Sequence, residues 1–600
     1  MLNATPSVTQ TPTPTENEER GTSPWPLRVD KLIGWWVGPE PDLNRSGRNL
    51  LLLILLLAIC TATFALGVPR LRAYGHDVFF CLDGAWRIVN GQRPVLDFYA
   101  VLGPAWDLLY AAALKLARND ARALCYGSTL VAVLMSAWSI LLLRRRMEPA
   151  PCFLACVSVV LLAVSPFALG RYPILTSFAM MYNRLGYALV SLVLLECYLP
   201  SSDQDSFGRQ FGGGFSSGLA CAAMTFVKIS YGPVGLVLIA VSLVLRPRER
   251  ARWLGLIAGF AIFVLPMLAY LRFDVAALVR EYRFLAAANR GRVGIPSALR
   301  TVWEGRFEFA PPILATLLVA LFAAPDARRR LTLGAACLLA AGAGTLLLMT
   351  NTPASDSPPM AAVALLLVNE VTSAWRRRAP GMRHPHPVVT LTLLSFGLLS
   401  AGIPLSLDAA GLGYALADKL MPRQPGYRLS PPHLRALEFV EVNPASTNCD
   451  NGVKFVRYTE EGMDLVKAHS RSMESVRGLT VMNPFSYALL RPPSPGGSIA
   501  ISRADFGENS MPPFSSIVGD VDLILIPTYP AGEEDARKLV LSTYHDTLER
   551  EYVVEAQSPH WTLLRRRTLH TRDGEANVRD KATNAPTTQG RPPRQSVISQ

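Results

Sequence analysis

The sequence predicts an α-helical, polytopic membrane protein that ends in a mixed α/β domain outside the bilayer. Three observations predict it. Half of the chain is hydrophobic, 50% against 18% charged, and the mean hydropathy of +0.24 is too high for an ordinary soluble protein. Between Leu50 and Leu405 apolar runs follow one another, many approaching the ~20 residues that a bilayer crossing needs. Beyond Leu405 the runs shorten and are broken by proline, as in a folded aqueous domain.

Taken in order, the chain opens with a Thr/Pro-rich tail, Thr5 to Pro26, that cannot bury enough apolar surface to fold. The first apolar run begins near Leu50, beyond the reach of a cleavable signal peptide. About eleven spans are expected. They are Leu50 to Val68, Ala123 to Leu143, Cys152 to Leu169, Leu185 to Tyr198, Gly218 to Val227 and Gly232 to Leu245, then Leu254 to Leu271, Pro312 to Ala324, Leu331 to Met349, Met360 to Ala374 and Val388 to Leu405. The fifth is the shortest, and Gly212-Gly213-Gly214 before it reads as a flexible linker, since it lacks the Lys-Ser/Thr of a phosphate loop. Glu196, inside the fourth span, reads as a packing residue.

Arginine clusters orient the bundle. Arg144-Arg145-Arg146, the Arg246 to Arg250 run, Arg328-Arg329-Arg330 and Arg376-Arg377-Arg378 all fall on one side if the amino terminus is cytoplasmic. An odd span count then places the C-terminal domain outside the cell's inner (plasma) membrane. The expected division is a disordered tail over 1–48, a membrane domain over 49–405 with its first outer loop at 69–121, an α/β domain over 406–570 and a disordered tail over 571–600. Within the α/β domain, a helix is expected from Pro431 to Val442 and another from Glu533 to Glu551. Strands are expected at Val453 to Val456, Leu479 to Met482, Ser498 to Ile501, Asp522 to Ile526, Tyr552 to Glu555 and Trp561 to Leu564.

The net charge of +13 does not point to nucleic acid, because many basic residues sit in short clusters at span ends. Of nine cysteines, Cys60, Cys125, Cys152, Cys156, Cys197, Cys221 and Cys337 fall in spans. No C-x-x-C pair exists, so neither a zinc site nor a redox motif is supported. Cys81 and Cys449 are the two in aqueous regions, and their separation is not readable from sequence.

The first outer loop is the chemically distinctive stretch. Gly75-His76-Asp77 leads into a helix from Val78 to Asn90 on which Phe79, Leu82, Trp86 and Val89 share a face. Asp83 and Arg87, four apart, have the spacing of an ion pair on an exposed helix edge. Asn90-Gly91 ends that helix, and Arg93-Pro94 sets an extended chain leading to Asp97. Pro104 then opens a second apolar helix, to about Ala117, too short to span. As a bland alternative, Asp77 caps the helix at Val78, Asp97 is a structural partner for Arg87 or Arg93, and Lys228 and Arg184 are snorkelling anchors.

The pattern of an acidic residue soon after the first span, an amphipathic helix and a Gly-x-x-Pro-x-x-Asp turn (Gly91 to Asp97) resembles the membrane-embedded GT-C glycosyltransferases. The resemblance covers the loop and, through topology, about the first 400 residues. It implies a transferase acting on a lipid-phosphate-linked sugar, with an acceptor that is lipid, glycan or protein, on the outer membrane face. It also implies that Asp77 is the base for the acceptor hydroxyl, with His76 tuning or replacing it and Asp97 in reserve. Cations for the departing phosphate are sought at Lys228, Arg184, Arg290 and Arg292. Asp77 and Asp97 are not the adjacent acidic pair of some members, so a divalent metal stays an open option and no other cofactor is called for. A lipid or glycolipid transporter predicts broken helices and midplane charges, of which the sequence shows few. A non-catalytic envelope scaffold is the third reading, and it predicts that Asp77 is dispensable.

Overall fold

The computed structural model describes residues 42–200, 206–247, 249–289, 293–322, 324–351, 357–376, 387–443, 449, 451–471, 473–502, 511–529 and 534–567. The expected tail over 571–600, residues 1–41 of the amino-terminal one, Arg290, Arg292, Arg377 and Arg378 lie outside them, whereas 42–48, expected to be disordered, are helical.

Each expected span finds a helix. These are α1 (Asp42–Leu66), α4 (Ala123–Leu143), α5 (Pro149–Val164), α6 (Met181–Tyr198), α7 (Phe207–Val227), α8 (Tyr231–Leu245), α9 (Arg250–Tyr270), α12 (Arg306–Phe322), α13 (Ala327–Thr350), α14 (Pro358–Arg376) and α15 (Pro387–Leu420). The chain is a multi-pass membrane protein, but helix length does not return the expected count. Among the described residues, 5 helices are able to cross by length and composition, or 6 if α11 (Ile295–Glu304) and α12, bent by 85°, form one span. The two helices of the first loop are α2 (Val78–Val89) and α3 (Pro104–Leu116), and α10 (Val275–Asn289) follows α9.

The short fifth span is longer than its sequence suggested, because the glycine triplet is helical. Gly212-Gly213-Gly214 lies within α7, not in a linker. A Cβ on Gly214 would stand 2.0 Å from the Arg252 carbonyl oxygen and one on Gly218 2.1 Å from that of Leu256. Across the contact, Gly255 and Gly259 meet the Phe211 and Phe215 carbonyls equally closely. Two small-xxx-small faces thus bring the α7 and α9 backbones together, where dispersion replaces the hydrophobic effect that lipid cannot supply. Gly218→Leu is therefore expected to destabilise the solubilised protein by about 3 kcal/mol. Gly212→Leu, whose Cβ meets nothing within 4 Å, serves as the control. Thermal unfolding of the two variants measures the difference, and equal midpoints would contradict the close-packing account.

The arginine clusters are built into the bundle end as well as marking it. Glu196 is buried between Arg146 (3.0 Å) and Arg252 (2.5 Å), as a packing role requires. Arg329 pairs with Glu370 at 2.8 Å and donates to the Tyr198 carbonyl at the end of α6. Cations at helix carboxyl ends satisfy the carbonyls left without partners.

At the opposite end, α15 runs unbroken through Leu405 to Leu420, so the C-terminal domain begins after the expected boundary of 406. Its main sheet has the order β3 (Val476–Gly478), β4 (Leu523–Pro527), β6 (Trp561–Arg566), β5 (Tyr552–Gln557). β3 and β4 are parallel and the other pairs antiparallel, with Ile524 opposite Leu564. Four expected elements fail here. Val453 to Val456 lies in the helix α16 (Gly452–His469), whose Phe455, Thr459, Met463 and Val466 form a buried stripe at helical spacing. The expected helix from Pro431 is one tight turn, Pro432–Leu434, followed by β2 (Phe439–Val440), which pairs with β1 (Gly426–Tyr427). Leu479 to Met482 and Ser498 to Ile501 contribute isolated bridges, Met482 to Ala500 and Tyr99 to Ser498.

The domain does not stand alone. Phe79, Leu82, Trp86 and Phe98 of the first loop share one core with Phe439, Phe485 and Trp561. Buried Arg70 binds Asp418 (3.1 Å) and Glu438 (2.6 Å), tying the entry of the loop to α15 and the domain. Gly75 has no room for a Cβ, because Asn451 and Phe439 close directly over it.

Candidate active site

The helix α2 is covered on all sides, and its residues from Val78 to Arg87 are all buried. The Asp83–Arg87 pair forms as the spacing implied, at 3.1 Å, but inside the protein and not on an exposed edge. Arg87 also donates to the carbonyls of Ser494 (3.2 Å) and Gly496 (2.9 Å), so this pair rivets α2 to the C-terminal domain. Burial turns a weak surface pair into one whose loss would strand a charge.

Asp77 sits at the start of α2, and the expected cap is absent. Its backbone is already helical (φ −66, ψ −16) and its side chain makes no capping bond. The carboxylate instead lies 3.0 Å from Nε2 of His76. The two side chains keep 17% and 14% of their surface, whereas Asp83 keeps none. His76 also lines a cavity of ≈ 20 Å³ against the C-terminal domain, with Thr480, Met482, Tyr529 and Trp561.

The other carboxylates of the loop are committed or enclosed. Asp97 is exposed and accepts from the Arg93 backbone N–H at 2.7 Å, a turn-stabilising role that involves neither expected guanidinium. Asp120 pairs with Arg122. Asp107 is buried under Gly84, and neither of its carboxylate oxygens has a hydrogen-bond partner among the described residues. Asp77 is thus the loop carboxylate that is both reachable and paired with a titratable neighbour.

Lys228 is not a lipid-facing anchor. It follows the last turn of α7 and donates to Oδ1 of Asn183 (3.2 Å) and to Oδ1 of Asn351, which caps α13. Its Nζ stands 5.0 Å from the centre of the Tyr182 ring. Two helix carboxyl ends, two amide oxygens and an aromatic face make a site for one cation. Phe80, one helical turn along from Asp77, packs at a tilt of 41° on the same Tyr182 ring, 5.8 Å between centres. The Tyr182 ring therefore touches both Phe80 of α2 and Lys228. Gly103, whose Cβ would stand 2.0 Å from the Phe226 carbonyl, holds the start of α3 against the end of α7 beside Lys228.

Arg184 does not join them. Its guanidinium is fully buried, 2.7 Å from Asp408, and donates to the carbonyls of Leu162 and Phe167, where it closes the carboxyl end of α5. Cys81 and Cys449 are both buried and are not joined in a disulfide. Among the described residues no group of three or more His, Cys, Asp or Glu side chains could hold a metal ion.

Residues that sequence reading passed over complete the region. Asn183 and Asn351 carry no pattern of their own, although each adjoins a residue already singled out or a span end. Glu281 on α10 is buried and accepts from the Ala100 N–H at 2.8 Å. It thereby braces a loop in which Val95 (φ 73) and Val101 (φ 62) hold left-handed backbone that β-branched residues avoid. Burial pushes the Glu281 carboxyl up to about 8 against the pull of the Ala100 and Val101 N–H groups. Burial and then the Glu281 charge push Asp107 up as well.

The folded protein holds a proton on Glu281 that the unfolded chain, with its ordinary value of 4.5, releases, so stability falls as pH rises from there towards about 8. Glu281→Gln keeps an oxygen for Ala100 and is expected to flatten that fall in thermal melts across the window. Identical pH slopes for the variant and the wild type would remove Glu281 as its source.

Comparison with known proteins adds little at the level of sequence. No family model matches, and no curated protein matches. Among solved structures, the chain is similar to ArnT from Cupriavidus metallidurans bound to undecaprenyl phosphate. The TM-score is 0.45 at 12% identity, over 86% of this chain and 98% of that one. The apo state of the same protein gives 0.44 at 13% identity, with the same coverage. A likeness this distant carries no functional argument.

Proposed function

We propose that the chain is a GT-C-type glycosyltransferase that moves a sugar from a lipid-phosphate-linked donor to an acceptor hydroxyl at the membrane surface. One observation carries the reading: a reachable carboxylate–imidazole pair, Asp77 and His76, opens the helix whose Phe80 packs on the Tyr182 ring, and the Lys228 ammonium lies over that same ring. Asp77 takes the proton of the acceptor hydroxyl as its oxygen bonds to the anomeric carbon. The bond from that carbon to the phosphate oxygen breaks, and Lys228 balances the charge left on the phosphate. Attack opposite the leaving group inverts the anomeric centre. The C-terminal domain, sharing the loop's core, roofs the site from the extracytoplasmic side of the inner membrane. The arginine clusters support that orientation through the positive-inside rule.

The test is chemical profiling of a deletion strain beside the complemented one. Accumulation of a lipid-phosphate-linked sugar together with an acceptor lacking that sugar is the expected result. Unchanged glycans and lipids in the deletion strain would overturn the proposal. Movement of labelled lipid across reconstituted vesicles without sugar transfer would select the transporter reading instead.

A further inference from the structure

A groove of ≈ 920 Å³ runs along the membrane face of the bundle between α4 and α7, and nothing in the site above uses it. From Gly208 to Val227 its floor follows α7 for about 29 Å, close to the thickness of a hydrocarbon core. Its walls are apolar, with Leu134, Leu141, Leu219 and Ala223 facing in. The Trp138 indole N–H on that wall is already satisfied by Ser216 at 2.7 Å. Such a trough suits a hydrocarbon chain.

Charge at its two ends decides what carries that chain. At the end near the first loop the lining is Ala105, Leu109, Leu185 and Val227, without a cation. Lys228 is next in sequence but does not line the groove, being turned to Asn183 and Asn351. At the other end the lining includes Arg145, Arg146 and Arg209. Arg146 is committed to Glu196, whereas the exposed Arg145 side chain makes no hydrogen bond or ion pair among the described residues. An amphiphile seated here is matched with its phosphate at the arginine end. A lipid-linked sugar donor in the same trough would hold its phosphate about a bilayer's thickness away from Asp77.

We propose that this groove is a binding site for an anionic glycerophospholipid of the leaflet at the arginine end. Its phosphate lies on Arg145 and Arg209, and an acyl chain lies along α4 and α7. The site is independent of the transferase reading, and its test needs no activity.

The full-length protein is purified, incubated with phosphatidylglycerol or phosphatidylcholine, and weighed by native mass spectrometry. Retention of phosphatidylglycerol is expected to exceed that of phosphatidylcholine, and the combined Arg145→Ala and Arg209→Ala change should lower it about tenfold. Gly212→Leu fills the trough from a position where a Cβ meets nothing within 4 Å, and it should abolish retention without unfolding the bundle. Retention blind to headgroup charge, or unchanged by Gly212→Leu, would overturn the proposal. So would displacement of phosphatidylglycerol by polyprenyl phosphate that also disappears in Gly212→Leu.

Discussion

Asp77→Asn is expected to lower turnover about a hundredfold or more while leaving the protein folded and abundant. Asparagine cannot take a proton from an acceptor hydroxyl, yet it is close in size and can still hydrogen-bond His76, now 3.0 Å from the carboxylate. The missing cap makes the comparison cleaner. Because the Asp77 side chain accepts no bond from the first turn of α2, Asp77→Ala should spare the roughly 1 kcal/mol that a lost cap costs. Sugar transfer from a lipid-linked donor, measured beside a melting curve, separates chemistry from fold. Near-normal turnover in Asp77→Asn would shift the base role to His76. Asp97 would be a poor successor, because its carboxylate is held by the Arg93 backbone.

The second large effect concerns the cation. Lys228→Met preserves length and can still pack a thioether on Tyr182 but removes the charge, and transfer should fall about a hundredfold. The variant leaves the amide oxygens of Asn183 and Asn351 without their shared donor, which costs about 1–3 kcal/mol. Activity must therefore be compared with abundance and melting temperature. A fall in transfer far exceeding the loss of folded protein supports a role on the leaving phosphate. Parallel losses would make Lys228 a structural pin between α6, α7 and α13.

These two residues were visible in the sequence because of where they stand, not because of what they touch. Lys228 ends an apolar run, and Asp77 precedes a helix soon after the first span. Arg184 stands in a comparable position at the start of α6, and it proves to be fully buried against Asp408 and the carbonyls of Leu162 and Phe167. Position relative to a span cannot tell a cation that faces a ligand from one that closes a helix end. That depends on which helix packs beside it, and α15, which supplies Asp408, is more than two hundred residues away in sequence.

The sequence by itself determined where the membrane helices and the two helices of the first loop form. Ala123 to Leu143 was predicted to the residue, and α2 and α3 begin at the positions that Val78 and Pro104 mark. Helix formation is local, set by apolar runs, prolines and glycines within a few turns of each other. Tertiary structure decided what each polar or small residue is for. The Asp83–Arg87 spacing named a pair but not its burial, because the covering surface comes from the carbonyls of Ser494 and Gly496. The glycine triplet looked like a linker until α9 brought Gly255 and Gly259 against α7. Val453 to Val456 read as a strand because four residues with two valines and a phenylalanine do not distinguish a period of 2 from one of 3.6. A short stretch of sequence records backbone preference, whereas burial, pairing and close approach are properties of two stretches that only the folded chain brings together.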